Sequence, residues 1–87
     1  MKGIHRKEFV HIIYTLISNH EYIFGAVSIR EDCGYLICIR DYVTQNIMFM
    51  ADTRFRSRSD ALYDFGLMWD DALAKVHNDS SPLVISR

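Results

Sequence analysis

This chain of 87 residues has one proline, four scattered glycines, two cysteines and no long apolar run. Each scarcity excludes something. Gly3, Gly25, Gly34 and Gly66 are too dispersed for a glycine-rich phosphate loop. Cys33 and Cys38 are too few for a disulfide scaffold and are not spaced as Cys-x-x-Cys. They read as reduced thiols, which places the chain in the cytoplasm as an expectation. No apolar stretch approaches the length of a membrane span. Lys2, His5, Arg6, Lys7 and Glu8 interrupt the start of the chain, so a signal peptide is not expected. Charge of one sign is also lacking: the net charge is -1, which argues against a general polyanion binder.

What is present is apolar and aromatic. Hydrophobic residues make up 49% and aromatics 13%, which excludes a disordered chain. The length allows one core, so residues 1–87 are expected to form one domain, with 78–87 as a tail. A domain this small has much surface for its volume, and homodimerisation is one way to cover surplus apolar area. A homodimer is therefore expected.

The hydrophobic period changes twice. Residues 5–19 carry Phe9, Ile13, Leu16 and Ile17 on one helical face, widened by Val10 and Tyr14. Residues 22–52 switch to β-type runs: Tyr22 to Arg30, Tyr35 to Arg40, and Asn46 to Asp52. Glu31-Asp32-Cys33-Gly34 reads as a hairpin turn, with Gly34 the residue best suited to positive φ. Asp41 to Gln45 read either as a longer turn or as the start of the third strand. Helical spacing returns over 59–76 with Leu62, Phe65, Trp69, Ala72, Leu73 and Val76 on one stripe. Ser57 or Ser59 would cap this helix, with Asp60 three residues after Ser57. Its end is expected near His77, with Asn78 to Ser81 as the exit and Pro82 as the stop. The fold class is α+β: an α-β-β-β-α domain whose three-stranded antiparallel sheet packs against two helices. Gly66 lies on the apolar stripe of the second helix, where Gly costs roughly 1 kcal/mol relative to Ala. A backbone passing close by is the expected reason.

Both faces of the sheet are more apolar than a water-facing antiparallel sheet requires. One face is covered by the helices. The other carries some of Tyr22, Phe24, Leu36, Cys38, Met48 and Met50. That set is either an exposed interaction surface or, in a different register, more core.

No constellation for catalysis or metal binding stands out. His5, His11, His20 and His77 have no i, i+4 partner and no cysteine at metal spacing. No Gly-x-Ser-x-Gly occurs, and nothing beside Cys33 or Cys38 would activate a thiol. No metal and no cofactor are expected. Asp60, Asp64 and Asp71 share one face of the second helix, which reads as a solvated acidic face. Arg54, Arg56 and Arg58 cluster before that helix. They either offer guanidiniums to phosphate or carboxylate, or pair with Asp52, Asp60 and Asp64.

The element order resembles the double-stranded RNA-binding domain in layout. That family places a lysine-rich patch at the start of its last helix. Here the matching stretch is Ser57-Arg58-Ser59-Asp60-Ala61-Leu62-Tyr63-Asp64, which is arginine-led and then acidic, so no binding residues are carried over.

The expectation for function is a non-enzymatic protein that binds another protein, as adaptor, regulator or inhibitor, through Phe24, Met48 and Met50 on the sheet and Asp60, Asp64 and Asp71 on the helix. The alternative is nucleic-acid binding through Arg54, Arg56 and Arg58. A weaker reading is an enzyme assembled between subunits, with His11, Tyr14, His20 and Cys38 as its reactive types.

Overall fold

The computed structural model describes residues 3–21, 23–29 and 34–85, with backbone alone for 26–29 and 79–85. Five elements follow in the expected order: α1 (Arg6–Ser18), β1 (Ile23–Ile29), β2 (Tyr35–Asp41), β3 (Ile47–Phe55) and α2 (Arg58–Ile85). Tyr22 and Cys33, assigned above to a strand and a turn, lie outside the described residues.

α1 starts where His5 Nδ1 accepts a hydrogen bond from the Lys7 amide at 3.3 Å. A side chain has thereby satisfied one of the amides left over at a helix start. Phe9, Val10 and Ile13 are buried, and Tyr14, Leu16 and Ile17 pack at the edge of the core. Lys7, His11, Thr15 and Ser18 are exposed, as the periodicity predicts. The helix closes through His20, whose φ of 59° takes the left-handed turn usually left to glycine.

The sheet order is β1-β2-β3, antiparallel throughout. Gly34, at φ +81°, opens β2 from the left-handed region, as predicted for the turn. Asp41 ends β2, and Tyr42–Thr44 form the turn to β3. The Asp41 carboxylate accepts from the Thr44 hydroxyl at 2.9 Å and from the Thr44 and Val43 amides at 3.3 and 3.4 Å. The Thr44 hydroxyl, then the backbone amides, hold this carboxyl below its ordinary pKa. β3 continues three residues beyond the expected Asp52, to Phe55. Its register against β2 shifts twice, between Leu36 and Cys38 and between Ile39 and Arg40. The second shift sets Ile47 opposite Arg40, so Ile47 does not alternate onto one face with Phe49 and Ala51 as a regular strand would have it.

Ile37, Ile39 and Ala51 face the helices and join Phe9, Val10, Ile13, Ala61, Met68 and Ala72 in one buried cluster. α1 lies over β3, and α2 lies chiefly over β2 and β1.

α2 differs from its sequence reading in phase and in length. The buried line is Ala61, Met68 and Ala72, with Phe65 and Trp69 packed beside it. The predicted stripe is therefore rotated: Leu62 is 45% exposed, because Ala61 and not Leu62 meets the sheet. The helix also runs through Asn78–Ser81 and Pro82 to Ile85, over 28 residues. Asn78 to Ser81 do not end it, and the tail is neither a strand nor a coil up to Ile85. A proline removes one ladder bond locally, and the residues on either side keep helical geometry. At 1.5 Å per residue the helix is about 42 Å long, and it sets the long dimension of the molecule, 54 Å.

Candidate functional site

Three surfaces gather the residues singled out by the sequence. The first is the sheet face away from both helices. Leu36 and Cys38, on the central strand, point there and are nonetheless buried, at 4% and 0% exposure. Neither belongs to the helix-side cluster. Cys38 is a free thiol opposite Met50. Burial pushes its pKa up, and the neighbouring Arg40 only partly offsets this. Arg40 itself donates to the Gln45 carbonyl in the β2–β3 turn. Phe24, Met48 and Met50 are half-buried on this face, and the Phe24 ring meets Tyr42 edge-on at 6.0 Å. Tyr42 and Val43, in the adjoining turn, are 63% and 77% exposed. The face is largely apolar, with Arg40 opposite Phe24 and Arg54 opposite Leu36, has its own small buried patch, and among the described residues carries no helix.

The second surface is the predicted acidic face of α2. Asp60 is exposed in the first turn. Asp64 is turned toward α1 and bonded to Arg6 at 3.1 Å. Asp71 shares a groove with His5, Arg6, Lys7, Val10 and Lys75. The three carboxylates thus share a helix face, as the spacing predicts, and Asp64 and Asp71 look onto the basic start of α1. Sequence reading missed the gathering of Lys75 with the cations of α1, since no local pattern connects residues seventy apart.

The third surface is the arginine run. β3 stays extended through Phe55, which packs against the core, while Arg54 lies opposite Leu36 on the outer side. Arg54 and Arg56 line a hollow of about 460 Å³ with Gly34 and Phe55. A side chain at Gly34 would meet the Phe55 carbonyl and the Arg54 stem. Arg56 and Arg58 are exposed. Asp64, one of the acids expected to pair with this cluster, pairs with Arg6 instead. Asp52 accepts from the Thr53 hydroxyl at 3.2 Å.

No family model, curated protein or solved structure matches this chain.

The reactive types of the enzyme reading do not assemble around a thiol. His11 and Tyr14 stack on α1 at 5.7 Å, His20 sits exposed at the end of that helix, and Cys38 is sealed within the far face of the sheet. Among the described residues no group of three metal-ligating side chains comes together, and no helix is long and apolar enough to cross a membrane.

A fourth surface was not singled out in advance. Ile23, Phe24 and Gly25 of β1 form a groove of about 370 Å³ with Phe65, Gly66, Trp69 and Asp70 of α2. The Phe65 ring lies directly on Gly25, where a Cβ would come within 1.9 Å of its tip. Phe65 and Trp69 stack at 5.5 Å. Trp69, on the apolar stripe read from the sequence, packs against the core and is half-buried along this groove. The sequence signal for it was Gly66, an unexplained glycine among large apolar residues.

Proposed function

We propose that the chain is a small non-enzymatic protein that acts by binding another protein, as an adaptor, regulator or inhibitor, through the helix-free face of its sheet. The carrying observation is that Phe24, Met48 and Met50 stand half-exposed on that face, opposite the side both helices cover. A sheet face covered by nothing normally alternates to polar residues. Here Phe24, Met48 and Met50 stand on it beside Arg40 and Arg54, and methionine adapts readily to an irregular partner surface. Asp64 and Asp71 look onto the start of α1 on the helix side of the sheet and do not border this face, and Asp60 is exposed at the start of α2. The free, buried Cys38 suits a reducing compartment such as the cytoplasm.

The test uses the full chain in its native host with a photo-crosslinking phenylalanine at Met48, and a control at Thr15 on the exposed face of α1. A protein adduct at 48, absent at 15 and indifferent to nuclease, is the expected result. Equal labelling at both positions, or recovery of nucleic acid alone, would overturn it.

One observation favours the second reading, nucleic-acid binding through Arg54, Arg56 and Arg58. Arg54 and Arg56 border one hollow, and Asp64 is turned away from them. Against it, Asp60 remains at the helix start, where a phosphate would lie. Binding that weakens with salt and with alanine at these arginines is its signature.

A further inference from the structure

The two edges of the sheet are treated differently. Along β3, Ile4 adds a short parallel bridge at Ala51: its amide donates to the Met50 carbonyl at 2.8 Å, and its carbonyl accepts from the Asp52 amide at 2.9 Å. The same strand also carries Asp52 and Arg54. β1 shows neither protection among the described residues. Its sequence, Ile-Phe-Gly-Ala-Val-Ser-Ile, holds no charge and no proline. Among the described residues its backbone pairs with β2 alone. Open, uncharged edges invite another strand.

Beside this edge, α2 presents Leu62, Gly66, Trp69 and Leu73 at i, i+4, i+7 and i+11, which places them on one line of the helix. Leu62 is 45% exposed, Gly66 is exposed, and Trp69 and Leu73 are half-buried. A Cβ added at Gly66 would meet nothing within 4 Å. The close approach expected from its sequence position is not found among the described residues. The glycine weakens the helix, and no described residue of its own chain uses the room it leaves.

We propose that β1 pairs antiparallel with β1 of a second copy, joining two sheets into one of six strands, and that the two α2 helices cross near Gly66 above the joint. The occupant is argued from the geometry. An antiparallel strand paired with itself about a two-fold axis is complementary by symmetry, and the lack of charge on β1 removes any like-charge opposition. α2 crosses all three strands, and near Gly66 it stands over β1, where the Phe65 ring rests on Gly25. Adding a strand at the usual spacing of about 4.8 Å therefore brings the two α2 axes to about 10 Å, the separation at which helices pack. Gly66 then stands where the helices are nearest. A strand of seven residues is about 23 Å long. With the helix ridge above it, the joint covers roughly 900 Å² over both copies, the size of a weak, reversible interface. The dimer stands independently of the protein-binding face on the other side of the sheet, and either can fail alone.

Sedimentation of the full chain from about 1 to 300 µM tests it, with a dissociation constant on the order of 10 µM expected. Gly66→Lys should keep or raise the melting temperature, since it improves the helix without a clash, and should weaken dimerisation at least tenfold. Amide exchange in β1 should slow as concentration rises. A chain that stays monomeric across this range overturns the proposal. So does dimerisation untouched by Gly66→Lys, or β1 exchange that does not depend on concentration.

Discussion

At the scale of single residues, burial decides chemistry. Cys38 is a thiol by identity, and in other surroundings could be a nucleophile or ligand. Here it is fully buried on the central strand, and desolvation raises its pKa. The thiolate is the reactive form, so Cys38 is inert in the folded chain. In a Cys33→Ser background, iodoacetamide at mildly alkaline pH should label Cys38 at least tenfold more slowly in the native state than in urea. The pH dependence follows the same sign. Below about pH 9, its ordinary value, the thiol holds its proton folded or unfolded. As pH rises further, the unfolded chain ionises first, so this group's contribution to stability is lost through the folded pKa. Asp64 shows the same dependence on setting. Its place on the acidic face was legible from spacing. Its bond to Arg6 was not, because the two are 58 positions apart.

At the scale of elements, local signals that rest on hydrogen bonding carry over well. Ser57 accepts from the Asp60 amide at 3.1 Å, as its position before the helix suggests. Ser57→Ala should destabilise the fold by about 1 kcal/mol, the usual worth of such a cap. Urea unfolding checks this, and Ser59→Ala should have a smaller effect, because Ser59 lies inside the helix and not at its cap. The strands and α1 were readable from their periods, since the apolar faces have to be buried. The phase of α2 was not. Two apolar lines run along it, one through Ala61, Met68 and Ala72 and one through Leu62, Trp69 and Leu73. Side-chain size alone favours the second, and packing against the sheet selected the first, where small alanines let the helix come close. The length of α2 was misjudged because Pro82 is a strong local signal, and it acts on one bond of the ladder only.

At the scale of the whole molecule, the asymmetry of the sheet edges is the main consequence of the fold. Ile4 closes β3 with two backbone hydrogen bonds and packs against the core. Ile4→Pro removes the donor to Met50 and leaves that carbonyl without its partner. A loss of about 2 kcal/mol in urea unfolding is expected, combining a lost bond with an unsatisfied acceptor. The same substitution opens the second edge, so association should broaden beyond a dimer. An outcome with unchanged stability would mean that the Ile4 bridge contributes nothing to the fold.

By itself the sequence determined the element order, the antiparallel hairpins, the buried face of α1, the two serines from which the cap of α2 is drawn, and the apolar residues on both sheet faces. These follow from period, turn chemistry and capping, all of which act over a few residues. Only the tertiary structure decided which line of α2 is buried, that Asp64 serves Arg6, that Leu36 and Cys38 are sealed away from the helices, and that Gly66 has no described neighbour within reach of a Cβ. Those depend on contacts between residues far apart in the chain, and on which of several apolar surfaces wins the available cover.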